Sequence, residues 1–371
     1  MKSIKYWCSD ESCGVTVGIQ IGSKGLVETL ILLAFLGTIL PSLDTISTRS
    51  VIHDVQPYTM VFSTNLANQH QNVTYEGDLV IDDNEIFTIE DSEFYMIGKI
   101  TVKDTSTLII RDSKFTTIPS WDGDSIVLMN QANLLITNAT VIFKHPGDFE
   151  CKILVQDYGK ANITQSTLRN RGYVVAYNNS IIYVNNSTIT VSTRIGTYPA
   201  SGVATFSTSA AEIKNSTMDG VFVWENSAAS VKNSVVGILR TAMEESDKTT
   251  VNITNSRVDY IEIWGGAPVL NIEGSTITDA HFVGEPFAWF TSSSVAQISA
   301  YSNTKVWLID SAYGGVETRD NATVLVGWHI PLFGLITMPH TWVSILWNVA
   351  FLIIATLSIA SLIILYRRWK R

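Results

Sequence analysis

Apolar and polar residues alternate within a short phrase that recurs through the middle of the chain. A typical copy reads Ile-Arg-Asp-Ser, ending at Ser113, and another reads Ile-Thr-Asn-Ser, ending at Ser256. We call the residue before the small one the mark, and eleven marks lie about 22 residues apart on average, a period typical of stacked structural units. The marks are Asp91, Asp112, Asn138, Gln165, Asn186, Asn215, Asn233, Asn255, Gly274, Ser292 and Asp310.

Three positions around each mark are apolar in all eleven copies, namely four and two residues before it and three after it, for example Leu108, Ile110 and Phe115. Alternation with a period of two predicts a strand with one buried face, followed by a sharp turn at the mark. Asn, Asp and Gly tolerate the left-handed backbone that such a turn needs, and the small residue after them is able to stack under its copy in the next unit.

These units predict an all-β fold, a parallel β-solenoid of about 11 to 12 coils in which each strand pairs with the strands above and below it. In that fold Ile110, Ile136, Ile163 and Val184 form one continuous interior column. Leucine-rich repeats share the period but have a leucine pattern that this chain lacks. A β-sandwich is the alternative that remains open.

Two stretches carry a resemblance to a known family, Gly77–Glu85 (GDLVIDDNE) and Gly98–Ser113 (GKITVKDTSTLIIRDS). They resemble right-handed parallel β-helix surface proteins of the pectin-lyase-like fold, especially archaeal membrane-anchored ones. The resemblance covers residues 75–327 and implies a right-handed coil for this part of the chain. Because one fold hosts many functions, the resemblance predicts architecture and not an activity.

Residues 345–366 form a run with one strongly polar member, Asn348. At about 1.5 Å per residue such a helix spans about 33 Å, enough for the hydrocarbon core of a bilayer. Tryptophan and tyrosine flank the run, and the basic tail 367–371 follows it. The sequence therefore predicts a transmembrane helix within 342–366 with its C-terminus in the cytoplasm. The alternative is a buried core helix.

A shorter apolar run over 26–40 follows Lys24 and precedes Pro41, which is typical of a signal peptide; an uncleaved signal anchor is the alternative. The part of the chain between the two apolar runs then lies outside the cell. The predicted organisation is an N-terminal segment 1–47, a lead-in 48–74, a β-helix ectodomain 75–327, a juxtamembrane cap or linker 328–341, the span 342–366 and the tail 367–371.

The composition of the chain limits the kinds of partner, disulfide and metal site that it can have. The chain is 46% hydrophobic and 16% charged with a net charge of −9, so no basic surface is present to neutralise nucleic-acid phosphates. Of the three cysteines, Cys8 and Cys13 precede the N-terminal apolar run and Cys151 is alone in the ectodomain. An ectodomain disulfide is therefore excluded, and the Cys8/Cys13 spacing is too short a pattern to predict a metal site.

The resemblance makes an enzymatic function one of the candidates, because β-helix proteins include pectate lyases, polygalacturonases and epimerases. The hydrolase type needs an Asp pair beside Gly-His-Gly, and none of the six histidines stands in that motif. The lyase type needs calcium-binding carboxylates near a basic side chain. The carboxylate candidates are Asp122, Asp124 and Asp148, which fall in the longer intervals between marks, where solvated turn residues are the alternative reading. Arg169 and Arg171, which follow the mark Gln165, are the candidate bases.

Aromatic residues suggest glycan binding instead. Trp224 and Trp264 each lie nine residues after a mark, which places them on one outer corner where sugar rings are able to stack. Trp121 and Tyr198, in the longer intervals, would extend that surface. The alternative is that a change of phase after the turn buries both rings.

Nine Asn-x-Ser/Thr sequons lie between the two apolar runs, and Asn72, Asn178 and Asn321 are the best candidates for carrying glycans. The sequence thus predicts a non-catalytic, single-pass cell-surface protein with a structural, adhesive or glycan-binding role in the envelope. Its expected partners are the membrane and envelope glycans or surface proteins. The alternative is a membrane-tethered polysaccharide lyase or epimerase acting on acidic glycans, with Ca²⁺ as its cofactor.

Overall fold

A computed structural model describes residues 5–9, 12–16, 50–52, 71–119, 123–144, 151–170, 172–190, 201–241, 248–330 and 334–369. The chain divides into two compact units, unit 1 over residues 1–222 and unit 2 over residues 223–371. The predicted signal segment over 26–40 lies outside the described residues.

Among the described residues, three short strands precede the repeats: β1 (Lys5–Ser9), β2 (Ser12–Thr16) and β3 (Ser50–Ile52). β1 and β2 pair antiparallel with Cys8 opposite Cys13. The remaining strands of unit 1 are β4 (Gln71–Glu76), β5 (Leu79–Ile81), β6 (Ile86–Glu90), β7 (Ser92–Ile97), β8 (Ile100–Val102), β9 (Thr107–Arg111), β10 (Lys114–Ile118), β11 (Asp124–Leu128), β12 (Asn133–Thr137), β13 (Thr140–Phe143), β14 (Cys151–Val155), β15 (Lys160–Thr164), β16 (Thr167–Arg169), β17 (Gly172–Ala176), β18 (Ile181–Asn185), β19 (Thr188–Thr190), β20 (Gly202–Thr205), β21 (Ala210–Lys214) and β22 (Thr217–Val223).

Unit 1 is a parallel β-solenoid. In each coil one strand runs up to a mark and belongs to the pre-turn sheet, and the strands after the mark belong to the post-turn sheet. Ile110, Ile136, Ile163 and Val184 are direct partners from coil to coil in the pre-turn sheet. Their side chains are almost completely buried. The predicted interior column is therefore confirmed, whereas the handedness of the coil stays a prediction.

The marks make the turns that the sequence predicts. All eleven have a positive φ, from 48° at Asn186 to 57° at Gly274, which is the left-handed region. Ten of the eleven are residues other than glycine, and Asn and Asp adopt this conformation at the smallest cost among them because their short side chains bond the local backbone. The turn predicted from the sequence is therefore confirmed at every mark, including Gln165 and Ser292, which are not among the residue types that favour it.

Unit 2 repeats the arrangement with fewer, longer strands after each mark. Its pre-turn sheet again stacks apolar partners, for example Ile253 on Ile272 and Phe290 on Leu308. Its elements are β23 (Ala228–Lys232), β24 (Val235–Thr241), β25 (Thr250–Thr254), β26 (Arg257–Trp264), β27 (Val269–Glu273), β28 (Thr276–Val283), β29 (Phe287–Thr291), β30 (Ser294–Ala300), β31 (Lys305–Ile309), β32 (Ala312–Thr318), β33 (Thr323–Ile330), β34 (Gly334–Pro339) and α1 (His340–Trp369).

The last two strands and the helix form the end of unit 2. β34 pairs antiparallel with β33 and covers the edge of the pre-turn sheet, which would otherwise offer unpaired backbone groups. α1 follows β34 directly; its His340 ring packs against Tyr313 with centroids 5.3 Å apart, and Val343 is buried.

α1 contains the predicted span 342–366. The structure describes the side-chain surroundings of only part of this helix. Within the residues that it does describe, we find no helix with both the length and the apolar character needed to cross a membrane. The span stays a prediction.

A serine ladder joins the coils beside the marks. The backbone N–H of Ser166 donates to the hydroxyl of Ser187 in the next coil at 3.1 Å, and Ser187 donates in the same way to Ser216. Each hydroxyl in turn donates to the carbonyl two residues before it, as Ser166 does to Thr164 at 2.7 Å. Ala139 occupies one position of this ladder and offers no hydroxyl to Ser113 of the preceding coil.

Ala139→Ser is expected to stabilise unit 1 by about 1 kcal/mol, because the new hydroxyl accepts from the Ser113 N–H and donates to the Thr137 carbonyl. Urea unfolding of the full chain in detergent, followed by circular dichroism, measures the change. Ala161→Ser is the matched control, since Ala161 is buried in the interior and the same hydroxyl there lowers stability. A loss of stability in Ala139→Ser would contradict the ladder.

Candidate functional site

The outer surface of the post-turn sheet in unit 2 carries polar and aromatic side chains in rows. In β26 the alternation is interrupted, because Asp259 and Tyr260 are both half-buried. After this step Ile261 and Ile263 point inward and are fully buried. Trp264 is then exposed on the outer surface.

Parallel pairing brings these outer side chains into register. Arg240 is the strand partner of Glu262, and Glu262 is the partner of His281. In the neighbouring row Tyr260 is the partner of Asp279. Because adjacent strands lie about 4.8 Å apart, the five side chains form one continuous polar surface over three coils.

Arg240 and Glu262 form a shielded ion pair at the edge of this surface. The Arg240 Nε donates to Glu262 Oε2 at 2.6 Å, and the Nη2 donates to the same oxygen. The two side chains are only 15% and 13% exposed. Burial raises the pKa of the Tyr260 hydroxyl, and the carboxylates of Glu262 and Asp279 raise it further. Tyr260 is therefore a neutral hydroxyl that can both donate and accept hydrogen bonds at physiological pH.

An aromatic row, defined as Trp264, His281 and Tyr301, borders the polar surface. The ring centroids of Trp264 and His281 are 5.5 Å apart, and those of His281 and Tyr301 are 5.2 Å apart. The Arg319 guanidinium carbon lies 5.5 Å from the Tyr301 ring centroid. Trp264 is 48% exposed, so the row presents apolar ring area to solvent beside hydrogen-bonding groups.

The structure describes two of the four aromatic residues predicted to bind glycans. Trp264 belongs to the aromatic row. Trp224 is half-buried in the turn after β22, where its carbonyl accepts hydrogen bonds from the Ser227 backbone and hydroxyl. The predicted Trp121 and Tyr198 lie outside the described residues.

The predicted carboxylate site is described at two positions. Asp124 begins β11 opposite Lys152 of β14, and Arg169 is exposed at the end of β16. Asp122, Asp148 and Arg171 lie outside the described residues. No group of three or more His, Cys, Asp or Glu residues arranged to hold a metal ion occurs in the described part of the chain. The calcium site stays a prediction.

The three predicted glycosylation sites are all exposed. Asn72 lies on β4. The Nδ2 of Asn178, the atom that a glycan would modify, donates to Asp157 Oδ1 at 3.1 Å, and the Nδ2 of Asn321 donates to Asn303 Oδ1 at 3.3 Å. Attachment at these two residues would replace a coil-to-coil bond.

Sequence reasoning missed a second aromatic cluster, the aromatic patch of Phe287, Trp289 and Trp307 on the outer surface of the pre-turn sheet in unit 2. Trp289 and Trp307 each lie three residues before a mark, a position that the alternation points outward. Two tryptophans at one outward offset in consecutive copies were the signal that would have found the patch.

Searches for relatives found no matching protein-family model, no matching curated protein and no matching solved structure.

Proposed function

We propose that this chain is a membrane-anchored, non-catalytic cell-surface protein that binds glycans on the outer post-turn surface of unit 2. The observation that carries the proposal is the aromatic row of Trp264, His281 and Tyr301 beside the polar residues Tyr260 and Asp279. Aromatic ring faces stack on the apolar faces of sugars, and neighbouring hydroxyls and carboxylates fix the sugar hydroxyls.

The repeat geometry favours a chain of sugars over a single small molecule. The row extends across the coils of β26, β28 and β30, so its groups recur about every 4.8 Å along the surface. An extended ligand lying along this direction meets the same kinds of contact several times, and each contact adds to the affinity. Rigid strands hold these groups in place before the ligand arrives, which lowers the ordering cost of binding.

Anchoring is supported by the sequence of α1. Residues 345–366 are almost entirely apolar and are followed by the basic tail 367–371, which favours a single span with the C-terminus in the cytoplasm. Both solenoid units then lie outside the cell. In this proposal the β-helix resembles the pectin-lyase-like surface proteins in architecture, and its partners are envelope glycans or the surface of another cell.

Trp264→Ala is expected to weaken glycan binding about tenfold, because it removes the most exposed ring of the row. The full chain in detergent is screened on a glycan array, and the affinity for the best ligand is measured by calorimetry. Trp289→Ala is the matched control, since Trp289 is 40% exposed on the pre-turn sheet and lies outside the row.

Three outcomes would overturn the proposal. The first is an array with no ligand, and the second is equal loss of affinity in Trp264→Ala and Trp289→Ala. The third is turnover of an acidic polysaccharide by the full chain with loss of that turnover in Asp124→Ala, which would establish the lyase or epimerase alternative instead.

A further inference from the structure

One row of outward-pointing residues on the pre-turn sheet of unit 2 changes from polar to apolar along the coils. Its members are direct strand partners in succession. The first three are polar and the last three are aromatic or aliphatic. In order they are Ser230, Asn252, Asn271, Trp289, Trp307 and Leu325.

In the polar half of the row, the Asn271 Nδ2 donates to Asn252 Oδ1 at 2.8 Å, so these two side chains pair with each other. The apolar half forms the aromatic patch. The Phe287 ring packs edge-on against Trp289 with centroids 5.0 Å apart and stacks on Trp307 at 6.4 Å. Trp289 remains 40% exposed, so the patch offers apolar ring area at the surface.

The patch lies at the end of unit 2 that carries α1. Trp307 is the strand partner of Leu325, and Leu325 is the partner of Pro339, the residue immediately before α1. At about 4.8 Å per strand, Trp307 is about 10 Å from the start of the helix and Trp289 about 15 Å from it. No linker separates β34 from α1, so an anchored helix holds the patch within reach of the bilayer.

The chemistry of the patch matches the lipid headgroup region. Tryptophan is enriched there because its ring is apolar and its indole N–H is polar. Lys305 is the strand partner of Phe287 on the same outer surface and is exposed, which places a cation where lipid phosphates lie. Trp328 and Trp342 at the same end of unit 2 are also exposed.

We infer that the aromatic patch of Phe287, Trp289 and Trp307 docks onto the lipid headgroups of the membrane that holds α1. This inference rests on the anchor in the proposed function.

The docking has a consequence for the glycan-binding surface. Phe282 of the post-turn sheet and Phe290 of the pre-turn sheet touch across the interior, with centroids 6.4 Å apart, so the outer surfaces of the two sheets face opposite ways. With the patch on lipid, Trp264 faces away from the membrane.

Tryptophan quenching by brominated lipid tests the docking. The full chain is reconstituted into phosphatidylcholine and phosphatidylglycerol vesicles with bromine placed near the headgroup, and the quenched fraction of the fluorescence is compared between variants. The double variant Trp289→Phe/Trp307→Phe removes two of ten tryptophans but keeps the aromatic surface, so the docking is preserved and only the reporters are lost.

The quenched fraction is expected to fall in the double variant. Trp264→Phe is the matched control, and there the fraction is expected to rise, because an unquenched emitter is removed. An unchanged or higher fraction in the double variant would overturn the inference, whether the patch is bare or covered by a glycan or another protein.

Alkaline extraction of the vesicles distinguishes a failure of the docking inference from a failure of the proposed membrane anchor. If the chain stays in the membrane while Trp289 and Trp307 are not quenched, only the docking is wrong. If the chain is released, the proposed anchor is wrong and the inference fails with it.

Discussion

Phe115→Ala is expected to lower the free energy of unfolding of unit 1 by about 3 to 5 kcal/mol, the usual cost of deleting a buried phenylalanine ring. Phe115 is fully buried and stacks on Phe94 of the preceding coil at 5.8 Å and 15°. Its removal leaves a cavity between two coils. Since each coil of a solenoid is stabilised only by its neighbours, the loss also weakens the coils beside it.

Urea unfolding of the full chain in detergent, followed by circular dichroism, measures this effect. Lys114→Ala is the matched control on the same strand, because Lys114 points outward and pairs with Glu93 at 3.3 Å between partly exposed side chains; its loss is expected to cost less than about 1 kcal/mol. Phe115→Leu, which keeps most of the volume, is expected to lie between the two. Equal effects for Phe115→Ala and Lys114→Ala would contradict the inward assignment of the position.

The sequence predicted this interior because each constraint was local and repeated. The alternation around Asp112 determines which side chains point inward, and the mark itself determines where the chain turns. Both constraints act within a few residues, so they are readable without knowing which coil lies next. Parallel stacking then follows from the constant offsets, since Ile110 and Ile136 occupy the same place in successive coils.

In unit 1, the second strand after each mark was not predictable in the same way. Every residue of β17 is buried, and so is every residue of β20. Such strands lose the alternation, because both of their faces are covered, and a short apolar run does not reveal its secondary structure by periodicity. The repeated phrase around each mark does not extend to these strands, so it makes no prediction for them.

The candidate site was predictable only in part. Whether side chains in successive coils line up in a row depends on the number of residues between one mark and the next. Trp224 and Trp264 share the offset of nine residues from a mark, yet Trp264 is exposed and Trp224 is half-buried. Of the partners that extend the row, Tyr301 also lies nine residues after a mark, but His281 lies only seven residues after one. Their contact depends on ring orientation from coil to coil, which no single phrase of the sequence contains.

Gly202→Ala is expected to lower the free energy of unfolding on the order of 4 kcal/mol, from backbone strain and from a backbone clash together. Gly202 has a φ of +152°, and a Cβ there would lie 2.1 Å from the Gly220 carbonyl oxygen. Backbone atoms of β22 are unable to rotate aside as a side chain would. The added methyl therefore forces β20 and β22 apart and weakens the 2.8 Å hydrogen bond from Ser201 to Asp219.

Gly77→Ala separates the two contributions. Gly77 also has a positive φ, +117°, but a Cβ there meets nothing within 4 Å. Its replacement therefore costs only the strain, about 1 to 2 kcal/mol. The difference between the variants in urea unfolding measures the close approach of the two coils. If both variants lose the same stability, the chain relaxes around the methyl at residue 202, and the tight stacking of β20 on β22 is not what requires a glycine there.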